Sequence, residues 1–207
     1  MKHDGHPARH VSRETPPNEE TWSALERWLG LRLSGVQREH LTDYRNWLAK
    51  EAQIAGGVGP REESRLFDRH VFDALGYVRG LAPETLAPQG SGASPTIVDI
   101  GSGVGLPGIP MAIALPWCDV TLVDRSERRT HLARRAVRIL GLRNVEVRTT
   151  DAGRLSDTFD VVAFRASLPL PGASRVFEAV ATADGVGLLA VSRLPEQPSV
   201  GSPPSGV

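Results

Sequence analysis

The chain has 207 residues, with 24 basic and 24 acidic side chains and a single cysteine, Cys118. This length is sufficient for one α/β domain with a small additional region. The balanced charge gives the protein no net electrostatic attraction to nucleic acid or a membrane. One cysteine excludes an internal disulfide framework and a cysteine-based zinc site. No stretch of about 18 apolar residues is present, so we expect a soluble, cytoplasmic protein.

The first 90 residues combine a polar beginning with three helical patterns. Residues 1–18 are rich in His, Arg and Pro and lack a helical or strand period, which predicts a flexible tail. An apolar helical period then runs to Gly30, a capping box at Ser34 marks the start of a second helix, and a third amphipathic stripe follows Pro60. The sequence therefore predicts a helical region over residues 19–90.

Beyond residue 90 the pattern alternates between short apolar runs, typical of buried strands, and amphipathic stretches, typical of helices. The predicted strands are TIVDI, DVTLVD, VEVRTT, FDVVAF and VGLLAVS. Strands joined by helices run parallel with right-handed crossovers, which predicts a doubly wound, mostly parallel α/β sheet of the Rossmann-like kind over residues 91–193. A ligand is then expected at the carboxyl ends of the strands. Residues 194–207 are rich in Pro, Gly and Ser and are expected to be disordered.

The first of these strands leads into the glycine-rich string VDIGSGVGLPGIP, residues 98–110. Gly101, Gly103 and Gly105 permit positive φ and let backbone N–H groups approach a ligand without an intervening Cβ. Counted from Gly103 the string satisfies the dinucleotide-binding expression, but counted from Gly101 the sixth position is Leu106 rather than glycine. The register therefore disfavours a dinucleotide.

Two acids flank the glycines and favour a different ligand. The negative charge of Asp99 would not help to bind a pyrophosphate, but it can bind an ammonium group directly or through water. Asp124, at the end of the second strand, is placed to accept hydrogen bonds from the two hydroxyls of a ribose. S-adenosylmethionine carries a sulfonium, an ammonium group and a ribose. The combination predicts a site for this cofactor, and the alternative is a tight turn used only for packing.

Three longer segments resemble a known family. They are VDIGSGVGLPGIPMAIALP, VTLVDRSERRTHLARRAVRILGLRNV and FDVVAFRA. Together they closely resemble the ribosomal RNA small subunit methyltransferase G family, also called glucose-inhibited division protein B. The resemblance covers about residues 60–190, and residues 106–110, LPGIP, are its most specific element. It implies S-adenosylmethionine-dependent methylation of N7 of a guanosine in 16S ribosomal RNA. It also implies that this RNA or the small subunit is the partner, with no metal, no membrane and a monomeric chain.

The resemblance adds site residues to the two acids. His70 and Asp73, three apart in DRHVFDAL, and Arg165, in FRA after the fourth strand, are expected at the edge where the reaction occurs and are assigned as catalytic. An acid at Asp151 is expected to accept a hydrogen bond from the adenine amino group. The complete set expected at the cofactor is Asp99, Gly101, Ser102, Gly103, Gly105, Leu106, Pro107, Asp124, Arg125, Asp151, Ala152 and Arg165.

The residues after the fourth strand are compatible with methylation of a ring nitrogen. Guanine N7 has an in-plane lone pair and no proton to lose, so its methylation needs alignment and electrostatic support rather than a general base. The segment AFRASLPL lacks the Asn/Asp-Pro-Pro-aromatic motif of amino-group methylases, and Cys118 precedes the second strand. A guanidinium such as Arg165 can recognise the O6 and N7 edge of guanine or a nearby phosphate.

A local basic patch and a missing strand pair complete the sequence expectations. Eight arginines and two acids lie within residues 125–148, which predicts a surface that contacts RNA, with an ordinary solvated helix face as the alternative. No pattern is present for the two further strands that close the sheet in the family.

Two other functions stay open: a methyltransferase for a small molecule, and a diverged, inactive relative that binds the cofactor or RNA.

Overall fold

A computed structural model describes residues 17–52, 66–81, 86, 92–165 and 168–190 of the chain. Within these residues the α-helices are α1 (Glu19–Leu29), α2 (Gly35–Trp47), α3 (Asp73–Arg79), α4 (Gly108–Ala114), α5 (Glu127–Ile139) and α6 (Leu170–Val180). The strands are β1 (Thr96–Ile100), β2 (Asp119–Asp124), β3 (Val145–Thr149), β4 (Phe159–Arg165) and β5 (Ala181–Ala190). The predictions of a flexible N-terminal tail, a disordered C-terminal tail and an absent closing strand pair fall mainly outside the described residues.

The five strands form one parallel sheet in the order β3-β2-β1-β4-β5. The chain moves outwards from β1 through β2 to β3, and then returns to the other side of β1 to form β4 and β5. This reversal creates a topological switch point between β1 and β4, where ligands bind in open α/β sheets. The central strands β1 and β2 are buried along nearly their whole length, as expected where helices cover both faces. The predicted doubly wound sheet is confirmed.

Capping residues mark both ends of α1 and the start of α2. The Asn18 side chain caps α1, which ends at Gly30 with φ 70° in the left-handed region. Ser34 and Gln37 form the predicted capping box at the start of α2. The Gln37 amide also donates to the carbonyl of Ile113 at 2.9 Å, which docks the start of α2 on the end of α4. One side chain thus both caps its helix and fixes the helix on the core.

Hydrophobic clusters cover both faces of the sheet. On one face, helices α1 to α5 pack against alternate strand residues such as Ile97 and Val161. On the other face, α6 packs against residues such as Val98 and Phe164. The N-terminal helices therefore share a core with the sheet, and the domain boundary after residue 90 stays a prediction. Within the described residues, no helix combines the length and apolarity needed to cross a bilayer.

The boundary between α6 and β5 differs from the prediction. The run PGASRVFEAVATA predicts a helix that includes residues 181–183, and VGLLAVS predicts a strand that begins at residue 186. In the structure, α6 ends at Val180 and Ala181 is extended and pairs with Phe159 on β4. The pairing then shifts register before Val161. Alanine-rich sequence carries no strand signal, so only the neighbouring strand determines this earlier start.

Candidate active site

A pocket of about 450 Å³ opens at the carboxyl ends of β1, β2 and β4, beside the switch point. Its lining residues are Ile100, Gly101, Val123, Asp124, Arg125, Arg129, Thr150, Asp151, Ala152, Arg165, Leu168 and Val176. The predicted cofactor residues among them are Gly101, Asp124, Arg125, Asp151, Ala152 and Arg165. Residues that are far apart in the sequence therefore converge at the edge where a ligand was expected.

The glycine loop adopts the predicted backbone, but its N–H groups have other partners. Gly101, Gly103 and Gly105 have φ of 75°, 58° and 104°, so all three use the left-handed region that favours glycine. The N–H groups of Gly101 and Ser102 donate to the carbonyl of Val123 at 2.8 and 3.0 Å. The expectation that these amides face a ligand is thus not met, because the end of β2 supplies their acceptor. The loop instead offers a surface without Cβ atoms.

Gly108, at the start of α4, allows the closest approach of helix and sheet. A Cβ at this position would overlap Leu122 Cδ2 and lie 2.9 Å from Asp99 Oδ2. Its N–H donates to the same carboxylate oxygen at 2.8 Å. Leu106 is buried and Pro107 directly precedes the helix. The predicted cofactor residues that do not line the pocket are Asp99, Ser102, Gly103, Gly105, Leu106 and Pro107.

Asp99 is a fully buried acid beneath the loop. Its Oδ2 accepts the Gly108 bond, while its Oδ1 is buried and has no hydrogen-bond partner among the described residues. Burial, helped by the charge of Asp124 and opposed by the Gly108 bond and the Arg165 charge, raises the pKa of Asp99 to about 7. Ser102 Oγ likewise lacks a partner within the described part of the chain. Asp99 does not line the pocket itself, but it directly precedes the lining residues Ile100 and Gly101 and keeps a buried carboxylate oxygen without a donor from any described residue.

Asp124 is also buried, but its carboxylate already has several partners. Its Oδ2 accepts the Gly103 N–H at 3.0 Å, and its Oδ1 accepts the Ser126 N–H at 2.8 Å. Arg129 Nη2 lies 3.3 Å from the same Oδ1. A carboxylate offers about four lone pairs, so these contacts leave one on Oδ2. Asp124 can accept one further hydroxyl in this arrangement, and a second only if Arg129 moves away.

Arg165 ends β4, and its side chain contacts the π-helical turn Phe67–Phe72 that precedes α3. Its Nη2 lies 2.9 Å from Nδ1 of His70, and its Nη1 is buried with no hydrogen-bond partner in the described ranges. The structure therefore brings together two of the three residues predicted as catalytic. Asp73 is exposed on the first turn of α3 and does not line the pocket, so its catalytic role stays a prediction.

Asp151 and Ala152 form the wall of the pocket after β3. Asp151 is exposed, and its Oδ1 accepts the Gly153 N–H at 2.9 Å, which caps the short 3₁₀ turn Ala152–Arg154. Its other carboxylate oxygen has no hydrogen bond to a described residue. Arg125, directly after Asp124 at the end of the neighbouring strand β2, is exposed and also lines the pocket. The pocket thus has exposed charged side chains after both strands.

Two buried tyrosines, which the sequence analysis did not single out as functional, hold the backbone around the pocket. Tyr44 on α2 donates to the carbonyl of Val104 in the glycine loop at 3.1 Å, and Tyr77 on α3 donates to the carbonyl of Phe164 at 2.8 Å. Burial raises the pKa of Tyr77 to about 12 and raises that of Tyr44 well above its ordinary value, so both hydroxyls stay protonated donors. The only sequence signal was a tyrosine, with its polar tip, on an otherwise apolar helix face.

Comparison with known proteins identifies the family. A sequence model described as rRNA small subunit methyltransferase G matches residues 37–189. The chain belongs to this family. A methyltransferase G from Paracidovorax citrulli is 32% identical over 85% of the chain and 75% of that protein. One from Acidothermus cellulolyticus is 38% identical over 67% of the chain, and the match spans 58% of that relative's length.

Solved structures of other methyltransferases match part of this methyltransferase G family member. A precorrin-6Y C5,15-methyltransferase from Geobacter metallireducens is 20% identical, with a TM-score of 0.42, and the match covers 53% of this chain and 60% of that one. A putative S-adenosyl-L-methionine-dependent methyltransferase from Methanococcus maripaludis is 19% identical, also with a TM-score of 0.42, over 46% of this chain and 47% of that one.

The arginines of the predicted RNA surface divide into two groups in this family member. Those with hydrogen bonds or ion pairs inside the protein are Arg129, Arg134, Arg135 and Arg148. Those with no such contact to another described residue are Arg125, Arg128, Arg138 and Arg143, all of them exposed. The basic surface available to a partner is therefore about half of what the sequence suggested.

Several pocket residues of this methyltransferase G family member were missed from the sequence. They are Ile100, Val123, Arg129, Thr150, Leu168 and Val176. Thr150 follows a strand as Asp151 does, and this position was a usable signal. Leu168 and Val176 reach the pocket only because α6 packs beside β4, which no local pattern reveals. Among the described residues, no group of three or more His, Cys, Asp or Glu could hold a metal ion.

Proposed function

We propose that the protein is an S-adenosylmethionine-dependent methyltransferase that acts on N7 of a guanosine in 16S ribosomal RNA, in the cytoplasm and as a monomer. The observation that carries this proposal is the convergence of Gly101, Asp124 and Arg165 around one pocket at the switch point, with the buried Asp99 two residues before Gly101 on β1. Membership of the methyltransferase G family supports the same activity.

The residues of the pocket fit the proposed cofactor. Asp99 directly precedes the lining residues Ile100 and Gly101, and its unpaired Oδ1 is a suitable acceptor for an ammonium group. The remaining lone pair of Asp124 suits a ribose hydroxyl, and the second oxygen of Asp151 suits the adenine amino group. A pocket of about 450 Å³ lies within the size range of small-molecule sites. When bound, the cofactor supplies an electrophilic methyl group on a sulfonium.

The protein's own residues would align the acceptor rather than remove a proton. Guanine N7 attacks with a lone pair that it already has, so a base is unnecessary and orientation dominates the rate. Arg165 Nη1, buried and without an acceptor in the described structure, can donate to guanine O6, which leaves the lone pair of N7 free to attack the methyl group. The exposed arginines Arg125, Arg128, Arg138 and Arg143 would contact phosphates of the RNA around the target base.

Transfer of a labelled methyl group tests this proposal. The protein is incubated with S-adenosylmethionine labelled in its methyl group and with small ribosomal subunits from cells that lack this modification, and the labelled base is then mapped. Label on guanosine N7 supports the proposal, whereas label on another base or on a metabolite contradicts it.

Asp124→Ala is expected to weaken cofactor binding, and Arg165→Ala is expected mainly to slow transfer.

A further inference from the structure

One helical segment holds the end of β4 at two points. His70 lies in the π-helical turn that precedes α3, and Tyr77 lies in α3 itself. Tyr77 Oη donates to the carbonyl of Phe164 at 2.8 Å, and Arg165 Nη2 lies 2.9 Å from His70 Nδ1. The segment therefore restrains both the backbone before Arg165 and the Arg165 side chain.

The contact between Arg165 and His70 determines where the imidazole proton lies. A guanidinium has only N–H donors and stays protonated in proteins. Nδ1 of His70 must therefore accept this bond with its lone pair, which leaves the proton of the neutral ring on Nε2. A doubly protonated ring would place two donors against each other, so the observed contact requires the neutral form.

The same contact sets the direction of the whole guanidinium. Because the group is planar, fixing Nη2 also fixes Nη1. Arg165 lines the pocket, and its Nη1 is buried without a hydrogen-bond partner in the described part of the chain. A charged donor in this state is costly, more so than a neutral one. Nη1 is therefore the donor in the inner part of the pocket that an acceptor on a ligand would satisfy.

We propose that His70 is a positioning residue: as the neutral Nε2–H tautomer it accepts a hydrogen bond from Arg165 through Nδ1, and so directs Arg165 Nη1 at O6 of the target guanine, beside the N7 that accepts the methyl group. His70 acts on methyl transfer through Arg165, and its Nδ1 has no role in holding the cofactor. The identity of the target base rests on the proposed function, whereas the bond between the two side chains does not depend on it.

Nitrogen-15 NMR of the imidazole rings tests the bond without any substrate. The chain has six histidines, and the His70→Asn variant identifies the His70 signals by their loss. Well above the ordinary histidine pKa of about 6.5, we expect an unprotonated, hydrogen-bonded Nδ1 whose signal moves towards that of a free ring nitrogen in Arg165→Met. A protonated Nδ1, or a signal that does not respond to the loss of Arg165, overturns the proposal.

Two matched substitutions test the effect on transfer. The amide oxygen of asparagine falls near the position of Nδ1, whereas the polar atoms of glutamine fall near Nε2. His70→Asn thus keeps an acceptor for Arg165, and His70→Gln removes it. We expect His70→Gln to slow single-turnover transfer by up to roughly a hundredfold with unchanged cofactor affinity, while His70→Asn keeps most of the rate. Equal rates in the two variants, or a rate loss explained by weaker cofactor binding, overturn the proposal.

Failure of the proposed function gives a different pattern. If the wild-type protein transfers no methyl group to the small subunit, the guanine assignment falls together with that function. The NMR signals of His70 then still decide, by themselves, whether its Nδ1 positions Arg165. The two proposals therefore fail in separable ways.

Discussion

At the scale of single residues, close packing beneath the glycine loop matters as much as backbone freedom within it. The spacing of Gly101, Gly103 and Gly105 was enough to predict positive φ at a turn between strand and helix. The role of Gly108 could not be predicted, because its constraint comes from Leu122 on a neighbouring strand. A contact between distant segments leaves no local pattern in the sequence.

Substitution of Gly108 tests this packing. A Cβ in Gly108→Ala would overlap Leu122 and crowd the Asp99 carboxylate, so we expect the free energy of unfolding to fall by about 1–3 kcal/mol. Urea denaturation measures the change. Gly35→Ala is the matched control, because a Cβ at that helical position meets nothing within 4 Å. Equal stability of the two variants would show that the approach at Gly108 is not tight.

The buried carboxyl of Asp99 gives a pH dependence with a definite sign. Its pKa in the folded state is about 7, above the value of about 3.9 in an unfolded chain, so the folded protein binds this proton more tightly. Its stabilising contribution is fully present below about pH 4 and is lost as the pH rises through about 7. We expect the free energy of unfolding of the wild type to fall relative to that of Asp99→Asn over this range, measured by urea titrations at several pH values.

The Asp99→Asn comparison removes the effect of other titrating groups, such as histidines, which are common to both proteins. A difference in stability that stays constant from about pH 4 to pH 8 contradicts the raised pKa of Asp99.

The positions of the two acids were predictable, but their partners were not. Asp99 and Asp124 follow from the ends of recognisable strands. The neighbours that occupy most of the Asp124 carboxylate, Ser126 and Arg129, depend on how α5 begins. For Asp73 the position itself was not predicted. Its spacing from His70 suggested a site residue, but in the structure Asp73 is exposed and does not line the pocket.

At the scale of secondary structure elements, the N-terminal helices brace the site from the side. The apolar period of α2 and α3 predicted core helices, and both are packed on the sheet. Each also uses one tyrosine hydroxyl to hold a backbone carbonyl next to the pocket, at Val104 and Phe164. This second role depends on the sheet topology and could not be derived from either helix alone.

Removal of the Tyr44 hydroxyl measures how much its hydrogen bond from α2 to the glycine loop contributes to stability. Tyr44→Phe leaves the Val104 carbonyl without this donor in a buried place, so we expect a loss of about 1–3 kcal/mol of stability and weaker cofactor binding. Thermal or urea unfolding and calorimetric titration provide the two readouts. Thr42→Val, which removes a hydroxyl bonded within its own helix, is the control. A stability loss no larger than in this control would argue that the Tyr44 hydrogen bond does not stabilise the glycine loop.

The basic face of α5 yields a prediction about RNA. Arg128 is exposed and forms no hydrogen bond or ion pair with a described residue, so Arg128→Gln should leave stability unchanged, weaken RNA binding and reduce its logarithmic salt slope by about one. Binding titrations over a range of salt concentrations measure this slope. Arg27→Gln, on the exposed side of α1, is the control. An equal effect at both positions would indicate non-specific attraction.

Element boundaries were predictable where burial determines them. TIVDI and DVTLVD have the predicted bounds of β1 and β2 because continuous apolar runs of this length are buried in the sheet centre. The start of β5 was predicted wrongly because residues 181–185 have no apolar alternation, and the earlier start depends on the pairing of Ala181 with Phe159 on β4.

At the scale of the whole molecule, the alternation of strands and helices was sufficient to predict both the sheet and the edge at which its pocket lies. Right-handed crossovers leave few ways to arrange five parallel strands, and the order β3-β2-β1-β4-β5 places the switch point beside the glycine loop. The lining from α6 and the internal pairing of half the arginines emerged only from the assembled fold.

A structure of the protein with S-adenosylhomocysteine tests the central claim most directly, namely that this pocket holds the methyl donor. We expect the ligand between β1, β2 and β4, with its amino group near Asp99 Oδ1, a ribose hydroxyl on Asp124 and the adenine beside Asp151. A ligand bound elsewhere, or a pocket that excludes it at saturating concentration, would contradict the account.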